Sequence, residues 1–334
     1  MRAQIIRSFG EPNVLEPADL PDPVPAAGEV LVRIAATSVN PVDWKLRRHG
    51  PVIAPSLPAV LGCDVAGTVV AVGADVTDFR PGDAVYGCAG GVQGVSGGAY
   101  AEMIAADTRL LAAAPSSIPL RDAAALPLVV ITAWEGLERA GVGRGTTLLV
   151  HGGTGGVGHV AVQLAKVRGA HVTATVSTTE KADRARELGA DEIVNYRDEP
   201  VAAYVQRLTH GRGFDVVLDA TGGSDLATSF GAAKLNGQVV SIVSSYDADL
   251  TPMHNKGLSL HVVFMLIPML HNVGREAHGA ILRQAAHLVD TGRLRPLIDP
   301  ERFALAELAA AHTKLEEGRA VGKIVIDVDR SAKT

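Results

Sequence analysis

Cysteine is almost absent: the 334 residues contain Cys63 and Cys88 and no others. Two cysteines cannot build a disulfide framework of the kind that staples small secreted domains, which points to a reducing compartment. Aromatic residues make up only 4% of the chain, so the 47% of hydrophobic residues must fill the core with Ala, Val and Leu. A positive charge excess is also missing. The formal net charge is −5, and no basic run or stripe stands out, which argues against a nucleic-acid partner. No apolar run is long enough to span a bilayer, because the most apolar stretch, 258–270, is broken by His261 and Pro268. That stretch reads as core or interface. The N-terminal MRAQIIRSFG lacks the shape of a signal peptide, so a cytoplasmic protein without a membrane partner is expected.

The length allows two domains, each large enough for its own core. The most informative stretch is 146–177, TTLLVHGGTGGVGHVAVQLAKVRGAHVTATVS. A short apolar run, 147–150, has the length of a buried strand and stops at a glycine cluster. Gly153, Gly155 and Gly158 fit G-x-G-x-x-G, and Val157, Val160, Ala161, Leu164, Ala165 and Val167 then recur at helical spacing up to Gly169. A second β-rich run, 171–176, completes a strand–turn–helix–strand unit. Each glycine has a reason: a side chain at Gly153 blocks the turn, at Gly155 holds a pyrophosphate off the backbone, and at Gly158 wedges the helix from the sheet. The helix N-terminus adds unpaired N–H groups and a partial positive charge. This context predicts a dinucleotide site.

The end of the second strand chooses the dinucleotide. An NAD site places a carboxylate there for the ribose 2′-hydroxyl. Here the strand runs into Ser177-Thr178-Thr179-Glu180-Lys181, with Arg184 beyond, and hydroxyl and cationic groups suit a 2′-phosphate. Glu180 is the competing ribose acid, but it comes several residues late and fits the first turn of a helix. NADPH is therefore expected.

Ahead of residue 120 lie short β runs at 4–7, 29–39, 65–72, 83–86 and 100–105, separated by turn residues such as Pro21-Asp22-Pro23 and Arg80-Pro81-Gly82-Asp83. That spacing predicts a partly open barrel. From Asp122 helix and strand alternate: helices at 126–140, 181–188 and 201–208, strands at 192–194, 214–218 and 237–243. Alternation of this kind predicts an α/β, doubly wound parallel sheet. Asp219-Ala220-Thr221-Gly222-Gly223 follows a strand directly, which places Thr221 and Gly222 where such sheets bind ligands. The C-terminal part predicts helices at 279–289 and 305–315 and a closing strand at 323–328 that returns to the N-terminal barrel.

Taken together, Ser38-Val39-Asn40-Pro41-Val42-Asp43, Gly62-Cys63-Asp64-Val65-Ala66-Gly67-Thr68-Val69, Gly82-Asp83-Ala84-Val85-Tyr86-Gly87, the 151–158 loop and Leu188-Gly189-Ala190-Asp191 before Asn195-Tyr196 resemble the medium-chain dehydrogenase/reductase superfamily. The nearer resemblance is to its zinc-independent quinone oxidoreductase branch, the ζ-crystallin-like proteins, over essentially the whole chain. It implies a GroES-like β-barrel catalytic domain over 1–122, completed by 268–334, and a Rossmann nucleotide-binding domain over 123–267. By this match Gly155, Gly156 and Val157 carry the pyrophosphate, Ser177, Lys181 and Tyr196 the 2′-phosphate, and Thr132 lies near the nicotinamide ribose. A homodimer is also implied, with the strand in 258–270 pairing across a two-fold axis.

Departures from the family pattern bear on the chemistry. Zinc-dependent relatives have a His-Glu pair where this chain has Cys63-Asp64, and the structural zinc lobe has only Cys88 between 87 and 100. One cysteine and one aspartate do not make a tetrahedral site, so no metal is expected. Many similar quinone reductases have a tyrosine at the position of Lys45. Asp43 and Lys45 are then read either as a substrate-binding pair or as a solvated salt bridge, and His151, His254 and His261 as satisfied by neighbours. Without a Lewis acid, the expected acceptor is one that takes hydride easily. The first reading is a quinone, with Asn40, Lys45 or backbone N–H groups stabilising the oxygen charge. The alternatives are an enone, alkenal or enoyl thioester, and a non-catalytic NADPH-binding sensor.

Overall fold

A computed structural model describes residues 1–223, 225–243, 247 and 249–328. The chain divides into two compact units, 1–131 with 266–334, and 132–265.

The first unit opens with β1 (Arg2–Ile6), which pairs antiparallel with β2 (Glu16–Asp19). β3 (Glu29–Val39) follows, and Pro41 with Gly50 frames α1 (Pro41–His49), the proline at the first helical position and the glycine left-handed at φ 54. Next come β4 (Ala59–Val60), β5 (Asp64–Val72), β6 (Ala84–Cys88), β7 (Met103–Asp107) and β8 (Leu111–Ala113). Two helices, α2 (Leu120–Ala123) and α3 (Pro127–Arg139), lead out, and the boundary between the units falls inside α3. β7 starts later than the 100–105 run suggests. Tyr100 is spoken for elsewhere, its N–H donating to Leu61 O at 2.9 Å and its carbonyl accepting from Gln4 N–H at 2.8 Å.

The second unit alternates strand and helix: β9 (Thr147–His151), α4 (Gly156–Val167), β10 (His171–Val176), α5 (Thr179–Glu187), β11 (Glu192–Asn195), α6 (Val201–Thr209), β12 (Phe214–Asp219), α7 (Asp225–Ala232), β13 (Ala233–Ser241), α8 (Thr251–Lys256) and β14 (Ser259–Val262). All six strands run parallel in the order β11-β10-β9-β12-β13-β14. Counted from β9, this is the 3-2-1-4-5-6 order of a dinucleotide-binding sheet. On one side of it Leu149, Val194, Tyr204, Phe214, Val217, Phe230 and Val239 form a buried cluster. Burying a side chain of that size contributes roughly 1.5–3 kcal/mol.

The chain then re-enters the first unit with α9 (Ile267–His271), α10 (Glu276–Asp290), β15 (Phe303–Ala304), α11 (Leu308–Glu316) and β16 (Ile324–Asp327). β16 pairs antiparallel with the end of β3, Ile324 opposite Val39, as expected of the closing strand. β3 is long enough to hold β7 along residues 29–33 and β16 along 36–39, and it pairs with β5 as well. A single strand thus organises the larger sheet of this unit. Among the described residues no helix is long and apolar enough to cross a membrane.

Candidate cofactor and catalytic sites

The glycine loop is built onto the carboxyl end of β9. Gly152 N–H donates to Thr175 Oγ1 at 3.1 Å and Gly153 N–H to Thr175 O at 3.0 Å, which ties the loop to β10. A Cβ on Gly153 would lie 2.6 Å from Ala174 Cβ, and one on Gly158 only 2.0 Å from Gly152 O. Neither position has room for a side chain. Gly155 is exposed and stands as the N-cap of α4 with no side-chain cap, while Gly156 and Val157 are half-buried. The first turn of α4 therefore offers N–H groups without intrahelical partners on an open face, a fit for an anion.

Two further loops stand beside this one. Asp219, at the end of β12 and opposite His151 of β9, accepts at Oδ1 from Thr221 N–H (3.0 Å), Thr221 Oγ1 (2.8 Å) and Gly222 N–H (2.8 Å). This turn brings Thr221 within 3.0 Å of where a Cβ on Gly152 would be. After β10, Ser177 is half-buried, and Thr178 caps α5 by accepting from Lys181 N–H at 3.2 Å. Glu180 is exposed in the first turn of α5, a helix-opening acid. Tyr196 follows β11 and donates its N–H to Val176 O at 3.2 Å, so register brings it next to Ser177. Lys181 is half-buried and Tyr196 exposed. Thr132 is buried in α3.

The other candidate residues lie in the first unit. Asn40 is the N-cap of α1, and its N–H donates to Asp43 Oδ2 at 2.8 Å. Asp43 is fully buried. Lys45 is half-buried, 5.7 Å from the Trp44 ring centroid, and among the described residues it forms no ion pair. The expected Asp43–Lys45 salt bridge is corrected: residues two apart on a helix do not share a face, so Asp43 turns inward and Lys45 does not. Burial pushes the Asp43 carboxyl up to about 6, and the nearby Asp64 adds to the rise against the Asn40 N–H and Lys323.

Sequence reasoning missed the network that surrounds Asn40. Asp64 is buried and accepts from Ser38 Oγ at 2.5 Å, Asn40 Nδ2 at 2.9 Å and Leu128 N–H at 2.8 Å. Lys323, also buried, sets its ammonium 3.4 Å from Asp64 Oδ2 and donates to Asn40 Oδ1. Nothing local to 40 or 64 signals a partner so far along the chain. Around Asp43 stand Cys63, whose thiol is pushed well up by its hydrogen bond with Cys88 and by burial, and Tyr100, whose hydroxyl meets His312 Nε2 at 3.2 Å. Burial and the Arg47 charge push His312 down to about 3. Of the three histidines expected to be satisfied, His261 bonds Gln238 Oε1 at 2.7 Å and His151 lies 3.4 Å from Thr175 Oγ1, whereas His254 is exposed on α8 and its ring meets no side-chain partner among the described residues.

This geometry places the chain among known proteins. Residues 26–116 match the alcohol dehydrogenase GroES-like domain, and residues 188–326 match a domain described as zinc-binding dehydrogenase. A quinone oxidoreductase of Pseudomonas aeruginosa is 36% identical, covering 96% of this chain and 97% of its own. A chloroplastic NADPH-dependent alkenal/one oxidoreductase of Arabidopsis thaliana is 34% identical over 98% of this chain and 79% of its own. The crystal structure of an alcohol dehydrogenase superfamily protein from Novosphingobium aromaticivorans superposes with a TM-score of 0.92 at 42% identity, covering 98% of this chain and all of that one. Identity of this extent along both units, with the fold shared, makes the chain a member of the medium-chain dehydrogenase/reductase superfamily, in its quinone oxidoreductase branch.

Proposed function

We propose that the chain is an NADPH-dependent oxidoreductase that passes hydride to a quinone. The observation that supports the cofactor is the end of β10, where the register sets Ser177 beside Tyr196, Thr178 caps α5 at the Lys181 N–H, and the acid, Glu180, stands exposed in the first turn of α5. Gly155, Gly156 and Val157 would hold the pyrophosphate against the α4 N-terminus, with Thr221 and Gly222 alongside. NADPH, when bound, supplies the hydride at its nicotinamide ring.

The chain's own contribution is to bind, orient and answer charge. Hydride uptake by a quinone leaves negative charge on oxygen, which a fixed donor stabilises. Asn40 has its amide engaged at both ends by Asp64 and Lys323. Lys45 has no such engagement among the described residues, so its ammonium is the donor favoured on α1, with Asp43 behind it accepting the N–H of the N-cap residue Asn40. A cation site at Cys63-Asp64 is disfavoured by the same network, since four donors already surround the Asp64 carboxylate and one is an ammonium. We therefore read the chemistry as zinc-independent.

A second acceptor class, conjugated carbonyls, is favoured by the relative named as an alkenal/one oxidoreductase. A non-catalytic NADPH sensor is the remaining alternative. We place the protein in the cytoplasm and expect a homodimer. The test is an acceptor panel with NADPH consumption as readout, run with and without a chelator. Quinones or enones should turn over at rates the chelator leaves unchanged, and Lys45→Ala should lower turnover by about 10²-fold. Tight NADPH binding with no turnover of any acceptor would leave the sensor reading standing.

A further inference from the structure

We propose that Lys323 is a positioning residue for the reduction: its buried ammonium locks Asn40 and Asp64 in the arrangement that sets the start of α1, and through α1 the place of Lys45. The proposal rests on the reading of Lys45 as the donor to the acceptor oxygen.

An ammonium has three donors and no acceptor. Those of Lys323, which is only 3% exposed, meet three acceptors: Asn40 Oδ1, Val39 O at 3.3 Å and Asp64 Oδ2 at 3.4 Å. Its backbone is fixed too, Lys323 N–H donating to Leu297 O and its carbonyl accepting from Asp299 N–H, both at 2.9 Å. The cation is therefore held from behind and satisfied in front. Its effect falls on Asn40. With Oδ1 on the cation and Nδ2 on the carboxylate of Asp64, a flipped amide would set N–H against ammonium and oxygen against carboxylate. One rotamer is thus fixed at the N-cap position of α1, where the Asn40 backbone N–H donates to Asp43 Oδ2 and its carbonyl accepts from the Asp43 N–H, and Lys45 stands on the next turn.

A buried ion cluster is weak evidence for stability, because well-packed apolar residues often do as well or better. A registry role is the better reason to find one here, at the junction of the β3 end, the β5 start, the α3 start and the lead into β16. The sequence holds Lys323 in the unremarkable GKIVID that reads as the edge of a closing strand.

The experiment compares the parent with Lys323→Met and with the double variant Asp64→Asn/Lys323→Met, which removes both charges together. Four quantities are read: melting temperature, NADPH affinity, kcat on a simple benzoquinone and on an enone, and hydrogen exchange across α1. Lys323→Met should lower the melting temperature and reduce kcat about tenfold or more, with NADPH affinity within about twofold. The double variant should regain the melting temperature but not kcat, and α1 should exchange faster than in the parent, because Asn40 Oδ1 still lacks its donor. Recovery of kcat together with melting temperature would reduce Lys323 to a counterion and overturn the proposal. If Lys323→Met does not fold, the double variant carries the comparison. Should the parent reduce neither acceptor, the functional reading fails, and exchange across α1 in the double variant decides the positioning role by itself: parent-like exchange there refutes it.

Discussion

Replacing Asp43 by asparagine probes the charge balance of the α1 corner. In the folded chain Asp43 keeps its proton up to about pH 6, against an ordinary 3.8, because it is buried beside Asp64. Between those values the folded state binds more protons than the unfolded one. The stability that depends on this proton is fully present below about pH 4, falls as pH rises through the window, and is gone above about 6. At about 1.4 kcal/mol per pKa unit, the whole loss is about 3 kcal/mol. Asparagine has no proton to lose, and its Oδ1 still accepts the Asn40 N–H. The Asp43→Asn variant should therefore differ from the parent by a constant amount below pH 4, then gain on it by about 3 kcal/mol by pH 7.5. Any fixed penalty from altered contacts with Cys63 or Tyr100 shifts the offset and leaves the slope alone. His312, pushed down to about 3, titrates in both proteins and drops out of the difference. The assay is denaturant unfolding at a series of pH values, followed by Trp44 fluorescence on a Trp134→Phe background so that only α1 reports. A difference that does not change with pH, or one that grows toward acid, would refute the buried-acid reasoning.

Lys181→Ala should weaken NADPH ten- to a hundredfold while leaving NADH nearly unchanged, since a charge-assisted phosphate contact is worth about 1.5–3 kcal/mol; equal affinities of the parent for the two cofactors would defeat the assignment. Among the described residues β14 pairs only with β13 and leaves Val262 44% exposed at the sheet edge, so light scattering at micromolar concentration should give a dimer mass, and a Val262→Lys variant should shift it toward the monomer. A parent protein that runs as a monomer removes the basis for edge-to-edge pairing.

The nucleotide unit was legible because its signals are local. Strand length, glycine spacing and helical periodicity over 147–176 all act between near neighbours, and β9, α4 and β10 fall within a residue or two of the expected ranges. α1 carries equally local signals, Asn40, Pro41, Asp43 and Gly50 at cap spacing, yet Ser38 to Asp43 is read above only as a family motif and not as the start of a helix. A helix reading would have separated Asp43 from Lys45 by face alone. The network on Asn40 is different in kind. Lys323 is 283 positions away from Asn40, and only the antiparallel pairing of β16 with β3 brings them together. The stretch 258–270 mixed two elements, the end strand β14 and the short α9, whose combined apolar content hides the boundary at 263–266.

The central claim is that hydride passes from NADPH to a conjugated acceptor on this chain. It is tested most directly with NADPH deuterated at C4 of the nicotinamide on either face, an α,β-unsaturated ketone as acceptor, and mass and NMR analysis of the product. The account predicts one deuterium at the β-carbon from one of the two labelled cofactors, a hydrogen from solvent at the α-carbon, and hydroquinone formation with the same face preference when a quinone replaces the ketone. Product without label from either cofactor, or label exchange confined to NADP-dependent oxidation of a simple alcohol, would contradict it.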